Sequence, residues 1–161
     1  KFGLNISCTV DNIDELYTDG PDFPWTLKLQ CKSCNEIDDN WHPVTETDCI
    51  PSTSGPGYSN LQMKCKFCSN TFTLSIVKDS VRKLKNNGSG SISKQTVVAF
   101  DCRGVEPVAF DPQSGWSARC DETGTEFTDI DFGEDSMWAG YDEKGKVPVC
   151  IDEFTYEFVR M

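Results

Sequence analysis

The stretch LKLQCKSC, residues 27–34, returns 34 positions later as LQMKCKFC, residues 61–68. Each copy reads apolar, polar, apolar, polar, Cys, Lys, any residue, Cys. Alternation over the first four residues is the period of a half-buried strand, so each copy predicts a strand that runs into a cysteine-bearing turn. A CxxC turn places two sulfurs on one side of a tight knuckle, and two such knuckles supply the four thiolates of a tetrahedral site. Each copy is therefore read as half of one cage, built from Cys31, Cys34, Cys65 and Cys68.

Outward from the cage, the segments NISCTV (5–10), TLKLQC (26–31), LQMKC (61–65), FTLSIV (72–77), TVVAFDC (96–102) and FTYEFV (154–159) are short, alternating and rich in β-branched or aromatic residues. Turn-rich stretches such as TDGPDFP, IPSTSGPG and DPQSG separate them. The predicted class is all-β. One short helix is expected over KDSVRKLKNN (78–87), capped by Asp79 or Ser80, with an apolar face of Val81 and Leu84.

The 161 residues fit one compact domain. Within it GSGSIS (88–93) has the composition of a linker between a cysteine-cage half, 1–87, and a half without metal, 94–161. A faint echo supports two related halves: MKCKFCSNTFTLSIV resembles VPVCIDEFTYEFV, and Trp25 ahead of Cys31 is matched by Trp116 ahead of Cys120. Neither Cys120 nor Cys150 has a CxxC partner, so only the first half has a cage.

Composition narrows the function classes. The 15 basic against 26 acidic residues give a formal charge of −11, which repels phosphate backbones and anionic membrane surfaces. No apolar run approaches the roughly 20 residues of a membrane-spanning helix. The opening residues lack a signal-like apolar core, although a chain that starts at Lys1 rather than Met leaves targeting by a preceding segment open. Nine cysteines cannot all pair among themselves. That parity and the CxxC spacing favour a metal in a reducing compartment, the cytoplasm or also the nucleus, over a disulfide framework.

Four thiolates close the coordination shell, so the expected metal is one structural Zn2+ per chain, with iron in an all-sulfur site as its chemical competitor. Closing the loop of 34 residues between the copies costs about 3 kcal/mol, far below the roughly 10–16 kcal/mol of a structural zinc site in peptides. Lys28, Lys32, Lys64 and Lys66 stand beside the cysteines, where they either soften the −2 charge of a zinc tetrathiolate or face solvent. The single histidine, His42, is read as a surface or packing residue. Cys8 and Cys102 lie in phase with apolar neighbours and are read as core, Cys49 as exposed, and Cys120 and Cys150 as undecided. The acidic run DETGTEFTDIDFGEDSMWAGYDEKGK is read as a solvated face, and Trp116 and Trp138 as core in preference to partner anchors.

FDCRGVEP (100–107), TGTEFTDIDF (123–132), Trp138 and YDEK (141–144), together with the paired CxxC motifs, resemble the eukaryotic CXXC motif-containing zinc-binding protein family over nearly the whole chain. The resemblance implies an all-β protein of two pseudo-symmetric, sandwich-like or barrel-like halves packed as one unit. It also implies one zinc in the N-terminal half on Cys31, Cys34, Cys65 and Cys68, and no established catalysis. Where family members often carry Gly-Glu after the second cysteine this chain has Asn35-Glu36, and Asn tolerates the left-handed backbone such a knuckle uses. Arg103 and Glu106 of RGVEP are expected to pair with each other beside a Gly104 turn, or else to present a recognition surface.

The leading functional expectation is a monomeric zinc protein that acts through other proteins, without catalysis and without nucleic acid or membrane partners. Two alternatives are a thiol oxidoreductase resembling the zinc-containing methionine sulfoxide reductases, with Cys120 or Cys150 as nucleophile, and a metal-transfer protein.

Overall fold

Burial alternates along most segments predicted as strands, and the computed structural model, which describes residues 1–52 and 55–161, arranges them as an all-β fold. Thr53 and Ser54, within the turn-rich IPSTSGPG, lie outside the described residues. The strands are β1 (Phe2–Asp11), β2 (Ile13–Thr18), β3 (Trp25–Cys31), β4 (His42–Val44), β5 (Ile50–Pro51), β6 (Tyr58–Ser59), β7 (Leu61–Lys64) and β8 (Thr71–Ile76). They continue with β9 (Leu84–Lys85), β10 (Ser91–Arg103), β11 (Val105–Asp111), β12 (Trp116–Cys120), β13 (Glu126–Ile130), β14 (Trp138–Asp142) and β15 (Val147–Arg160).

A six-stranded sheet runs in the order β14-β15-β1-β10-β8-β7. Two smaller sheets, β11-β3-β4 and β13-β12-β2-β9, and the ribbon β5-β6 complete the fold. Strands of the two expected halves interleave: β1 lies between β10 and β15, β3 pairs with β11, and β12 pairs with β2. The stretch 88–93 forms a turn with Gly88 and Gly90 at φ of 90° and 85° and then enters β10, where Ile92 is buried opposite Cys8.

One apolar cluster joins all three larger sheets, from Leu4 and Ile6 through Leu16, Leu27 and Val98 to Ile151. At its centre Trp25 and Trp116 meet edge to face at 6.2 Å, within a group that includes Phe23, Phe100, Phe110 and Phe154. Both indoles are fully buried, so Trp116 is a core residue. Trp138 is half-buried, 5.1 Å from the ring of Phe127.

The expected helix over residues 78–87 does not form. Asp79 takes φ of 60°, which breaks a right-handed helix at its start. Leu84 pairs with Leu16 as part of β9 and is 1% exposed. Two apolar side chains make too narrow a face to hold a helix on a core, whereas one of them suffices to dock a short edge strand.

Replacing Trp25 with Ala removes the contacts at the meeting point of these rings and leaves a cavity. The expected loss is about 3–5 kcal/mol in urea unfolding, and a loss below about 1 kcal/mol would contradict this placement of the core.

Candidate metal centre

Each cysteine pair caps a strand by the same backbone device. At the end of β3 the Cys31 N–H donates to the Glu36 carbonyl at 3.0 Å, and the Asn35 N–H returns to the Cys31 carbonyl at 2.9 Å. At the end of β7 the Cys65 N–H donates to the Asn70 carbonyl at 2.8 Å, and the Ser69 N–H to the Cys65 carbonyl at 2.9 Å. The fifth residue of each turn is left-handed, Asn35 at φ of 62° and Ser69 at 66°. Asn35 therefore occupies a left-handed position that its side chain tolerates.

The two knuckles face one another. Cys31 Sγ lies 3.7 Å from Cys68 Sγ and Cys34 Sγ lies 3.7 Å from Cys65 Sγ, with all four sulfurs within 4.8 Å of one another. A tetrahedral zinc with bonds of about 2.3 Å needs sulfur-to-sulfur edges of about 3.8 Å. The donor set and its spacing thus fit a tetrathiolate metal ion, and this is the one such cluster of metal-ligating side chains among the described residues.

Local dipoles favour thiolates here. Backbone N–H groups of Cys34 and Ser33 hold the Cys31 thiol down at about 6 against the opposing effect of burial, and the Phe67 N–H points at Cys65 Sγ at 3.4 Å. At Cys34 the Glu36 N–H also pulls downward, but burial and the neighbouring sulfurs together push the thiol up to about 12. Thiolates this close repel one another, so a cation is what allows all four to ionise together.

The four lysines are spread around the knuckles in different roles. Lys66 pairs with Asp38 at 3.1 Å, Lys32 with Glu106 at 3.2 Å, and Lys28 lies 4.9 Å from the centre of the Trp41 ring. Lys64 is exposed. Asp38 also accepts the Asn40 N–H and binds His42 Nε2 at 3.1 Å, so His42 is a half-buried packing residue on the rim of the site. The sequence carries no periodic signal for Asp38, which lies in a loop and finds its lysine on the opposite knuckle.

The RGVEP motif closes over the first knuckle. Gly104, at φ of 80°, turns its carbonyl to accept the Lys32 N–H at 3.0 Å, and Val105 pairs with Cys31 in the sheet. Glu106 bonds Lys32 and Arg160 Nη2, the latter at 2.6 Å. Glu106 is therefore committed to those two cations, contrary to the expected pairing with Arg103, and Arg103 is exposed on the rim of a separate groove.

The other cysteines lie apart from this centre. Cys8 is buried and burial pushes its thiol up to about 12, while Cys102 is partly buried and is pushed up to about 12 for the same reason. Cys49 is exposed, Cys120 buried and Cys150 intermediate. The acidic run is solvated at most positions, but Asp142 within it is 1% exposed, a buried carboxylate that composition alone does not reveal.

Comparison with known proteins places this geometry in a group. A model of the eukaryotic CXXC motif containing zinc binding protein family matches residues 3–159. The UPF0587 protein CG4646 of Drosophila melanogaster is 39% identical over 163 residues, spanning 100% of this chain and 98% of its own. A CXXC motif containing zinc binding protein of Xenopus laevis is 38% identical, spanning 99% of this chain and 98% of its own. The crystal structure of C1orf123 superposes with a TM-score of 0.92 at 36% identity, covering 99% of both chains.

Acid should weaken the contact between knuckles at a defined pH. The Asn40 N–H, Lys66 and His42 hold the Asp38 carboxyl down at about 2, below the usual value of about 3.9. A depressed carboxyl contributes stability that is complete above about pH 4 and is lost as pH falls through about 2. Asp38→Asn should lower the melting temperature at pH 7 and reduce the further loss between about pH 4 and 2; equal pH profiles for both proteins would contradict it.

Proposed function

The chain belongs to the eukaryotic CXXC motif containing zinc binding protein family, and from that premise we propose that Cys31, Cys34, Cys65 and Cys68 hold one structural zinc ion per chain. On this reading the protein works through contacts with other proteins and not through catalysis. The observation that carries the metal assignment is the crossed pair of 3.7 Å sulfur contacts, the edge length of a zinc tetrathiolate. Zinc bound there would cross-link two hairpin tips and, with four protein sulfurs around it, offers no open position to a substrate.

The chain's own residues prepare that role. Knuckle N–H groups stabilise thiolates, and Lys66–Asp38 and Lys32–Glu106 secure the flanking loops. A thiol-enzyme reading has less support. Burial and the nearby Asp142 push the Cys120 thiol up to about 11, and burial also raises Cys150, whereas a thiol nucleophile works with a lowered value.

The surface of the knuckle region supports a docking role. Ile37, Trp41 and Phe67 on the loops that frame the cage are 45%, 41% and 52% exposed, with Lys28, Lys64 and Lys66 near them. These apolar side chains stand among charges of both signs, Lys64 and Lys66 with Glu36 and Asp39, and suit a partner that brings apolar contacts and a polar rim of mixed charge.

Metal analysis of protein purified without chelators should give one zinc per chain, lost together with a large drop in melting temperature in Cys31→Ser; full zinc content in that variant would refute the ligand assignment. Fast zinc exchange to a competing chelator with no change in fold would favour metal transfer over a permanent staple. For docking, Trp41→Ala combined with Phe67→Ala should keep zinc and fold yet lose proteins captured from native extract by the unmodified chain. Capture of the same set would place the partner surface elsewhere.

A further inference from the structure

The two knuckles of the cysteine cage are not the only ones of their kind in this chain. After β12, the Cys120 N–H donates to the Thr125 carbonyl at 2.9 Å, the Gly124 N–H returns to the Cys120 carbonyl at 3.2 Å, and Gly124 is left-handed at φ of 71°. Between β14 and β15, Asp142 pairs with Val147, and Lys146 is left-handed at φ of 55°. In all four turns the residue before the first ligand position pairs seven residues ahead: Gln30 with Ile37, Lys64 with Thr71, Arg119 with Glu126, and Tyr141 with Pro148. Position by position, Cys31, Cys34, Cys65 and Cys68 correspond to Cys120, Thr123, Asp142 and Gly145.

The surroundings correspond as well. The Lys32 N–H after Cys31 donates to Gly104, left-handed between β10 and β11; the Asp121 N–H after Cys120 donates at 3.3 Å to Asn12, left-handed at φ of 60° between β1 and β2. The six-stranded sheet reads symmetrically about its central β1–β10 pair, with β8-β7 at one end and β15-β14 at the other. Trp25 and Trp116, ahead of the two first cysteines, meet in the core.

At the second location the side chains bind each other. The buried Asp142 carboxylate accepts Thr123 Oγ1 at 2.5 Å and Thr125 Oγ1 at 2.9 Å from the opposite knuckle, and the Lys144 N–H at 3.1 Å from its own. Lys144 stands two residues after Asp142, as Phe67 stands two after Cys65, so the carboxylate accepts the turn N–H that the thiolate sulfur accepts in the cage. A Cβ on Gly145 would meet Asp142 Oδ2 and Thr123 Cγ2 first, each at 3.1 Å, so a side chain there would point at the other members of the group.

We propose that Cys120, Thr123, Asp142 and Gly145 form a latent metal site, the counterpart of the cysteine cage. In it the Asp142 carboxylate holds together the two knuckles that a cation holds in the first half. The comparison rests on the reading of Cys31, Cys34, Cys65 and Cys68 as zinc ligands. Its consequence is an asymmetric protein: one end of the large sheet is joined to its neighbour through metal, the other through the hydrogen bonds of Asp142 and the packing of Phe127 on Trp138. Loss of zinc then loosens the tips at 31–36 and 65–70 and spares those at 120–125 and 142–147.

The test is to complete the second cage in the full chain with Thr123→Cys, Asp142→Cys and Gly145→Cys, using Co2+ as the probe for its thiolate charge-transfer absorption. The unmodified protein should take one equivalent, the triple variant two, and the triple variant with Cys31→Ser one. A folded triple variant that stays at one equivalent overturns the proposal, whereas an unmodified protein that takes none overturns only the zinc assignment. If the triple variant does not fold, Asp142→Ala decides. It should lower the melting temperature at unchanged metal content and raise amide exchange in both hairpins, 120–125 and 142–147; unchanged stability, or exchange raised in neither or only one, overturns the proposal.

Discussion

Two hairpin tips that are remote along the chain must be held within sulfur-to-sulfur contact, and the rest of this structure is arranged around that constraint. One tip ends β3 in a three-stranded sheet; the other joins β7 to β8 at the edge of the six-stranded sheet. Four thiols in such contact are a poor apolar core and a repulsive set of anions, but they suit a divalent cation. On the proposed reading, metal bound by the four-cysteine cluster cross-links the sheets at a place where Cys34 and Cys68 are only partly buried. Inboard of it Leu27, Leu29, Phe72 and Leu74 are buried and carry the strands into the core.

The backbone of the knuckle matters as much as the cysteines. A strand that must end, reverse and present two side chains to one point needs a left-handed residue at a fixed place, and this chain supplies Asn35, Ser69, Gly124 and Lys146 in that role. Three of the four carry a Cβ at some conformational cost. The adjoining turn at Gly104 adds a carbonyl that secures the first knuckle from outside, which gives RGVEP a geometric explanation. Glu106 then ties that knuckle to β15 through Arg160, linking the cage to the longest strand of the fold.

The cage and the all-β class were legible in the sequence because both leave local marks: fixed CxxC spacing and strict alternation into it. The strands over 5–10, 26–31, 61–65, 72–77, 96–102 and 154–159 all fall within or against observed strands. What escaped notice had reasons of its own. In β2 only Ile13 and Leu16 are buried and the other positions are acidic or polar, so its alternation is lost. In β11, Pro107 reads as a breaker yet lies beside a register shift, where a strand can accommodate it. Leu84 looked helical because its neighbours are good helix formers, but its side chain is drawn to the sheet edge. Asp142 was hidden in an acidic run whose other members are solvated, since burial of one carboxylate among many leaves no compositional trace.

What lies between the four sulfurs decides whether the two tips are joined by metal, and X-ray absorption at the zinc edge reads that shell directly. The predicted result is one zinc per chain with four sulfur neighbours at about 2.3 Å and no nitrogen or oxygen ligand. A protein purified without chelators that carries no zinc, or a shell with fewer than four sulfurs, would contradict it.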